Sequence, residues 1–396
     1  MPKRRVLFVA SQLPFPLTSG GRIRNYHLMK ALAATYDVGL VAYGADGAPG
    51  LAELRGLVGT LEVVPGPAPG GPQWQRALDA ACAFSSRPVV IARYDRPAMR
   101  RRLERVRSQG YDATVYASLH MGSLWQGLGL ELLDTHNVQS VIWARLLAQT
   151  RGLVRRAVVW DQFRKMRRYE AALVARFGAC LVTSETDGRY LRELNPVARV
   201  LTVPNGVDCE YYRCTDPGLP PRRQVVFVGS LDWRPNADAV RELCVDIWPR
   251  VVAKVPDASL VIVGANPPPA IRALETRSVS VVGQVDDVRP WIASSRVLVV
   301  PIRWGSGTRI KILEAMAMGR PVVSTTVGAE GIDAVAGEEI LIADDPAAFA
   351  EQVVAVLVDD ALLGSIGQRG RRRVECRYDW RVVTQPLLEF LSARLG

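Results

Sequence analysis

Short, unbroken apolar runs alternate with helical patterns along the whole chain, and this alternation restricts the fold more than any other feature of the sequence. In the first half the runs cover residues 6–10, 38–42, 61–64, 113–117, 130–134, 179–183 and 200–204. In the second half they cover 225–229, 259–263, 279–282, 297–300, 322–324 and 340–342. A strand with one face in water alternates apolar and polar residues; a run without alternation belongs to a strand covered on both faces, as in a parallel sheet. Helical periodicity lies between the runs, for example over 24–36, 239–252 and 347–357. The β-α-β-α order occurs twice, which predicts two doubly wound α/β domains. The break falls at 204–223: Pro204-Asn205-Gly206-Val207-Asp208 is turn chemistry and Asp216-Pro217-Gly218-Leu219-Pro220-Pro221 is a Pro/Gly-rich linker. We expect an N-terminal Rossmann-like domain over 1–205 and a C-terminal one over 222–377. Residues 378–396 would complete the first, with a single amphipathic helix over 380–395.

The composition narrows the class. With 396 residues, 48% hydrophobic and 22% charged, the chain can bury real cores. The formal charge of +11 favours anionic partners: phosphorylated ligands, an acidic bilayer or nucleic acid. No recognition helix or base-stacking motif accompanies it, so nucleic acid is not the expected partner. Cys82, Cys180, Cys209, Cys214, Cys244 and Cys376 form no C-x-x-C pair, which argues against structural zinc and for a reducing, cytoplasmic setting. The basic start is followed by an apolar run too short for a leader and then by Pro14 and Pro16, so 6–10 is read as the first strand. No segment approaches the roughly 18 apolar residues of a membrane span.

In open α/β sheets, ligands bind beyond the carboxyl ends of the strands. The most informative such segment is 301–321, P-I-R-W-G-S-G-T-R-I-K-I-L-E-A-M-A-M-G-R-P. A strand ends at Pro301, a Gly305-Ser306-Gly307 loop follows, and a helix is expected from Thr308 to Gly319, with Pro321 beyond. Glycines let the backbone approach a ligand, and a helix N-terminus offers free N–H groups to an anion. Arg309 and Lys311 sit at the end of the helix where positive charge is unfavourable. A bound diphosphate would resolve that conflict, and Glu314 could accept hydrogen bonds from sugar hydroxyls. The plainer reading is a solvated helix with a Lys311–Glu314 pair. In the N-terminal half, His120 and His136-Asn137 follow two strands and could assist proton transfer; His27, inside the first helix, is read as structural.

Residues 301–331, together with 205–208, 225–236, 281–290, Gly20-Gly21 and Tyr378-Asp379-Trp380, resemble the GT-B glycosyltransferases of family 4. The resemblance touches both domains, and its C-terminal motifs are the more specific. It implies a GT-B fold: two Rossmann-like domains with a cleft between them and a last helix crossing back to the first. It implies a nucleoside-diphosphate sugar as donor and a saccharide or lipid-linked acceptor. By the same resemblance, Glu314 binds the donor ribose, and Ser306, Gly307, Thr308 and Arg309 contact the diphosphate and sugar. Gly283 and Val285 lie against the base, Gly229 and Asn236 line the donor pocket, and Gly20 and Gly21 approach the phosphates. His136, with His120 near it, lies at the reacting end.

Two departures stand out. The family pattern has a second glutamate where Ser306 stands, and an arginine where Ser230 stands, with Arg234 near but not on a family lysine. We expect Arg309 and Lys311 to take over phosphate neutralisation. This pattern resembles a sub-branch of bacterial surface-polysaccharide assembly. No pair of catalytic carboxylates and no Asp-x-Asp motif is found. The resemblance therefore implies a retaining transfer with the departing phosphate as base, and neither a metal nor any other cofactor is expected.

A basic stretch combines Arg145, Arg151, Arg155, Arg156, Arg164, Lys165, Arg167 and Arg168 with Leu146, Leu147, Leu153, Val154, Val158, Val159, Trp160 and Phe163. It is either a peripheral contact with an anionic membrane at its inner face or a solvated helix with its apolar side packed inward. Among rival functions, a nicotinamide dehydrogenase lacks its G-x-G-x-x-G fingerprint here. A nucleotide-sugar epimerase of the same fold is the closer alternative.

Overall fold

A computed structural model describes residues 3–66, 85–213, 220, 222–305 and 307–396. The chain forms two compact units: Met1–Pro204 with Thr384–Gly396, and Asn205–Val383.

The first unit is built on a seven-stranded parallel sheet, order β3-β2-β1-β4-β5-β6-β7. Its strands are β1 (Arg5–Ala10), β2 (Asp37–Gly44), β3 (Thr60–Pro65), β4 (Ala113–Ala117), β5 (Leu130–Thr135), β6 (Ala179–Val182) and β7 (Val200–Thr202). The unbroken apolar runs have a direct cause in β1. Val6, Phe8 and Ala10 enter one core with Leu28 and Leu32 of helix Gly20–Thr35. Leu7 and Val9 enter the other, with Leu103, Met166 and Leu173. Both faces are dry, so neither can be polar. Leu387 and Leu391 of the last helix belong to the first of these cores, so the C-terminus completes this unit.

The second unit holds a six-stranded parallel sheet, order β10-β9-β8-β11-β12-β13. Its strands are β8 (Gln224–Val228), β9 (Ser259–Val263), β10 (Val279–Gly283), β11 (Val297–Val300), β12 (Val322–Ser324) and β13 (Leu341–Ile342). In each sheet the strand order reverses once, between β1 and β4 and between β8 and β11. The connections leave such a point in opposite directions and open a crevice there. The two crevices are where sites are to be sought.

Two helices depart from expectation, each at a proline. The terminal helix is not one element but two, Trp380–Val383 and Gln385–Leu395, divided at Thr384. Pro386 has no N–H to continue a helix but suits the first turn of a new one. Likewise the pattern over 239–252 resolves into Arg234–Glu242, a π-turn at Leu243–Ile247 and Trp248–Lys254. Pro249, near the start of the last piece, cannot donate into a regular α-ladder, and the wider turn absorbs the defect.

Candidate functional site

In the second unit, the strand-end glycines let side chains and backbone crowd together. A Cβ on Gly229 would lie 2.4 Å from Lys311 Nζ and 2.7 Å from Asn236 Nδ2. One on Gly264 would meet the Gly229 carbonyl oxygen at 1.9 Å. After β11 the loop bends through left-handed Gly305 and Gly307, with φ of 125° and 85°. The helix begins at Ile310, slightly later than expected, with Arg309 at the N-cap. Thr308, nine-tenths buried, has a hydroxyl with no hydrogen-bond partner among the described residues. Ser306 lies outside the described residues.

Arg309 is buried, donates to the Gly307 carbonyl and lies 5.5 Å from the Trp233 ring centroid. Lys311 does not pair along its own helix as the plainer reading supposed. Its ammonium donates to Asn236 Oδ1 at 3.0 Å and sits 4.5 Å over the Phe227 ring. Burial, aided by the neighbouring charge of Arg309, lowers its pKa to about 7. An anion brought to such a site favours the charged form of the lysine and raises its pKa again. Asn236 also donates to the Ser230 carbonyl at 2.8 Å, so its amide orientation is set.

Glu314 is 6% exposed and accepts a 2.8 Å hydrogen bond from the Tyr212 hydroxyl. Burial raises its carboxyl, while Tyr212 and Lys311 pull the other way. Gly283, left-handed with φ 86°, ends β10, and Val285 beyond it is half-buried. Asp287 there holds Arg289, whose guanidinium lies 3.7 Å over the Tyr211 ring. Arg234 pairs instead with exposed Asp238 and Trp304, outside this cluster.

In the first unit, a cavity of about 230 Å³ opens at the carboxyl ends of β1 and β4. Gln12, Ser118, His120, His136, Asn137 and Gln139 supply most of the polar groups of its lining. His120 and His136 thus meet in one pocket, as expected. His136 Nε2 lies 3.0 Å from Asn25 Oδ1 and 3.2 Å from Asp134 Oδ2. Two oxygen acceptors on one nitrogen place a proton on Nε2, so that a neutral ring would carry its lone pair on Nδ1. Nδ1 faces Gly21, where a Cβ would stand 3.3 Å away. Gly20 is exposed at the opening of the same helix.

Asp134 is fully buried and pairs with Arg24 at 2.6 Å. Burial alone would raise its carboxyl, but Arg24 and His136 bring it down to about 2. Arg24 also donates to the Val203 carbonyl at 2.8 Å. His120 packs 5.0 Å from the Tyr94 ring, and its pKa falls to about 4 through burial, with a smaller push from His136. It therefore stands neutral at pH 7. His27 is buried against Tyr26.

The sequence reading missed Tyr212, Asn25, Arg24 and Tyr94. Only Tyr212 carried a local signal, lying just after the Asn205-Gly206-Val207-Asp208 turn.

Two parallel-sheet Rossmann-like units with sites at their strand ends are the GT-B architecture of glycosyltransferases. Residues 222–359 match the family described as glycosyl transferases group 1. The phosphatidyl-myo-inositol mannosyltransferase of Mycobacterium tuberculosis is 32% identical over 208 residues, covering 49% of this chain and 54% of the relative. The chain thus spans about half the length of the curated relatives it matches. A Corynebacterium glutamicum GDP-mannose-dependent monoacylated alpha-(1-6)-phosphatidylinositol monomannoside mannosyltransferase is 27% identical over 158 residues, 37% of this chain and 42% of that one. Sucrose-phosphate synthase from Thermosynechococcus elongatus superposes with a TM-score of 0.76 at 18% identity, covering 99% of both chains. Anabaena HepE in complex with UDP gives 0.71 at 13% identity, covering 98% of this chain and all of that one.

Proposed function

We propose that the protein is a glycosyltransferase that moves a sugar from a nucleoside-diphosphate sugar to a saccharide or lipid-linked acceptor in bacterial polysaccharide or glycolipid assembly. The observation that carries the reading is the placement of two cations, Lys311 held by the neutral amide of Asn236 and buried Arg309, at a glycine-shaped helix N-terminus. The diphosphate would sit there, with Thr308 Oγ1 as a further partner and Glu314 on the ribose. Cations placed where charge develops on a leaving diphosphate stabilise its departure. On this reading transfer proceeds with retention, the departing phosphate taking the acceptor proton, and no metal is needed. Gly20 and Gly21 would approach the phosphates, and Gly283 and Val285 the base. The pocket around His120 and His136 suits hydroxyl groups, and Nδ1 of His136, when it carries the lone pair, would accept a hydrogen bond from an acceptor or sugar hydroxyl.

A peripheral membrane contact is part of the proposal. Helix Leu153–Val174 packs through Val159, Met166 and Leu173, while Leu153, Val154, Val158 and Trp160 point outward at 88%, 81%, 59% and 50% exposure. Arg151, Arg155, Arg156 and Arg164 are exposed among them, and Lys165 is on the packed side, paired with Asp161. The apolar residues therefore do not all pack inward, and apolar groups interleaved with arginine suit an anionic bilayer. Among the described residues no helix is long and apolar enough to cross a membrane.

The test is thermal stabilisation by UDP, GDP, ADP, CMP and NAD, each with and without EDTA. A shift with one nucleoside diphosphate that survives EDTA supports the reading and names the base. A shift with NAD alone would overturn it. Release of a sugar nucleotide in place of free nucleoside diphosphate during turnover would favour the epimerase.

A further inference from the structure

We propose that Tyr212 is a positioning residue that makes the second unit selective for ribonucleotides, by holding Glu314 through its Oε1 so that Oε2 alone faces the ribose. This rests on the ribose role proposed above for Glu314. The placement of Tyr212 is built from its own segment. Asp208 Oδ1 accepts the N–H groups of Glu210 and Tyr211 at 3.1 and 2.9 Å, and the Tyr212 N–H donates to the Asp208 carbonyl at 2.9 Å. The turn is tied down in both directions: Val207 N–H donates to the Tyr378 carbonyl at 2.8 Å, and Trp380 N–H donates to the Val207 carbonyl at 3.2 Å. Gly206 permits this approach, since a Cβ there would lie 2.8 Å from the Trp380 ring and 2.9 Å from the Tyr378 carbonyl oxygen. The Tyr212 ring then packs edge-on against Tyr211, with centroids 5.1 Å apart, and Tyr211 is itself covered by Arg289.

The hydroxyl thus reaches Glu314 from a fixed base at 2.8 Å. Burial raises the tyrosine hydroxyl well above its usual range, so it donates and does not ionise. A carboxylate has two oxygens, and donation to one fixes the plane of the other. It also opposes protonation, because a hydrogen bond to the charged form favours that form. Without it, a buried Glu314 would be freer to rotate and readier to take a proton.

The experiment is a double-mutant cycle of Tyr212→Phe and Glu314→Gln, read by calorimetric binding of UDP, GDP and their 2′-deoxy counterparts from about pH 5 to about pH 8. Tyr212→Phe deletes one oxygen from a ring held by its neighbours, and a melting curve checks that the fold is kept. We expect Tyr212→Phe to weaken ribonucleotide binding about 10-fold, the loss of one hydrogen bond to a charged group. Discrimination against the 2′-deoxy nucleotide should shrink, and the loss of binding in acid should begin at a higher pH. In the Glu314→Gln background the second change should cost much less. Wild-type affinity, sugar discrimination and pH profile in Tyr212→Phe, with Glu314→Gln impaired, would overturn the positioning role alone. Full additivity of the two losses would overturn it as well. Undiminished binding in Glu314→Gln would overturn the ribose role, and the inference with it.

Discussion

The two units place their sites at the same topological point and treat a cation there in opposite ways. In the first, Arg24 is matched by the fully buried carboxylate of Asp134, and the pair in turn anchors His136. In the second, the Lys311 ammonium rests on a neutral amide, Asn236, and partly loses its proton. A cation satisfied by its own carboxylate is structural; one lodged against an amide is poised for an anion that the fold does not supply. The pocket walls agree. The first cavity is lined by amides, hydroxyls and imidazoles, and the second cluster by two cations at a helix N-terminus. On the proposed reading, the same architecture provides one place for hydroxyl groups and another for a diphosphate.

The comparison breaks most decisively at His136. His136→Ala should cut transfer by about 10²-fold or more, the cost of a misplaced acceptor hydroxyl, and leave nucleoside-diphosphate affinity nearly intact. Separate measurement of turnover and of nucleotide binding decides it. An equal loss in both would mean that the first unit also holds the donor tightly. Unchanged turnover would remove His136 from the chemistry.

Next in size is the pair behind it. Asp134→Asn leaves Arg24 buried without its counter-charge, which should destabilise the first unit by about 3–5 kcal/mol. Denaturant unfolding followed by a probe in each unit should show the loss in the first transition only. The sign with pH follows from the depressed carboxyl. Its contribution is present above the ordinary carboxylate pKa and is lost as pH falls toward about 2. A variant as stable as wild type would show that the pair is not the anchor of His136.

The contrast also marks what could be read before the structure. The strands were legible because a doubly buried strand must be apolar throughout, a local property. So was the 301–321 segment, where glycines, helix start and helix stop lie within one stretch of chain. The partners were not legible, because they join positions far apart: Arg24 to Asp134 across 110 residues, Tyr212 to Glu314 across 102. One sequence holds no record of such pairing. Arg24 read as one more charge in a basic helix, and Asp134 as the end of a strand. Lys311 and Asn236 were each legible as donor-site residues, but not the hydrogen bond that joins them across 75 residues. The division of the terminal helix was visible in Pro386 and was outweighed by the apolar periodicity around it.

On the second unit, Lys311→Ala should weaken nucleoside-diphosphate binding about 10- to 100-fold, the cost of one charge-assisted contact to phosphate. Turnover at saturating donor should fall as well, because the same cation stabilises the leaving diphosphate. Titration calorimetry and turnover at saturation check the two halves. A fall in turnover alone would mean that Lys311 acts only on the departing phosphate and not in the ground state.

The smallest effect is the pH dependence, and it bears most directly on the difference between the two cations. Lys311 in the empty site carries its proton only below about 7. A bound diphosphate favours the charged form, so binding above that pH must take up a proton, and affinity must fall as pH rises through about 7. The limit is about 10-fold per pH unit for one coupled group. On the acid side, a terminal phosphate group itself begins to protonate near pH 6 and binds less well below it. Affinity should therefore peak between the two, with the alkaline limb belonging to the protein and the acid limb largely to the ligand. Lys311→Gln should flatten the alkaline limb and leave the acid one. Calorimetry in buffers of different ionisation enthalpy would register the proton uptake in wild type and its absence in the variant. An alkaline limb that survives the substitution would assign the titration to another group, and the charge contrast drawn between Lys311 and Arg24 would lose its functional meaning.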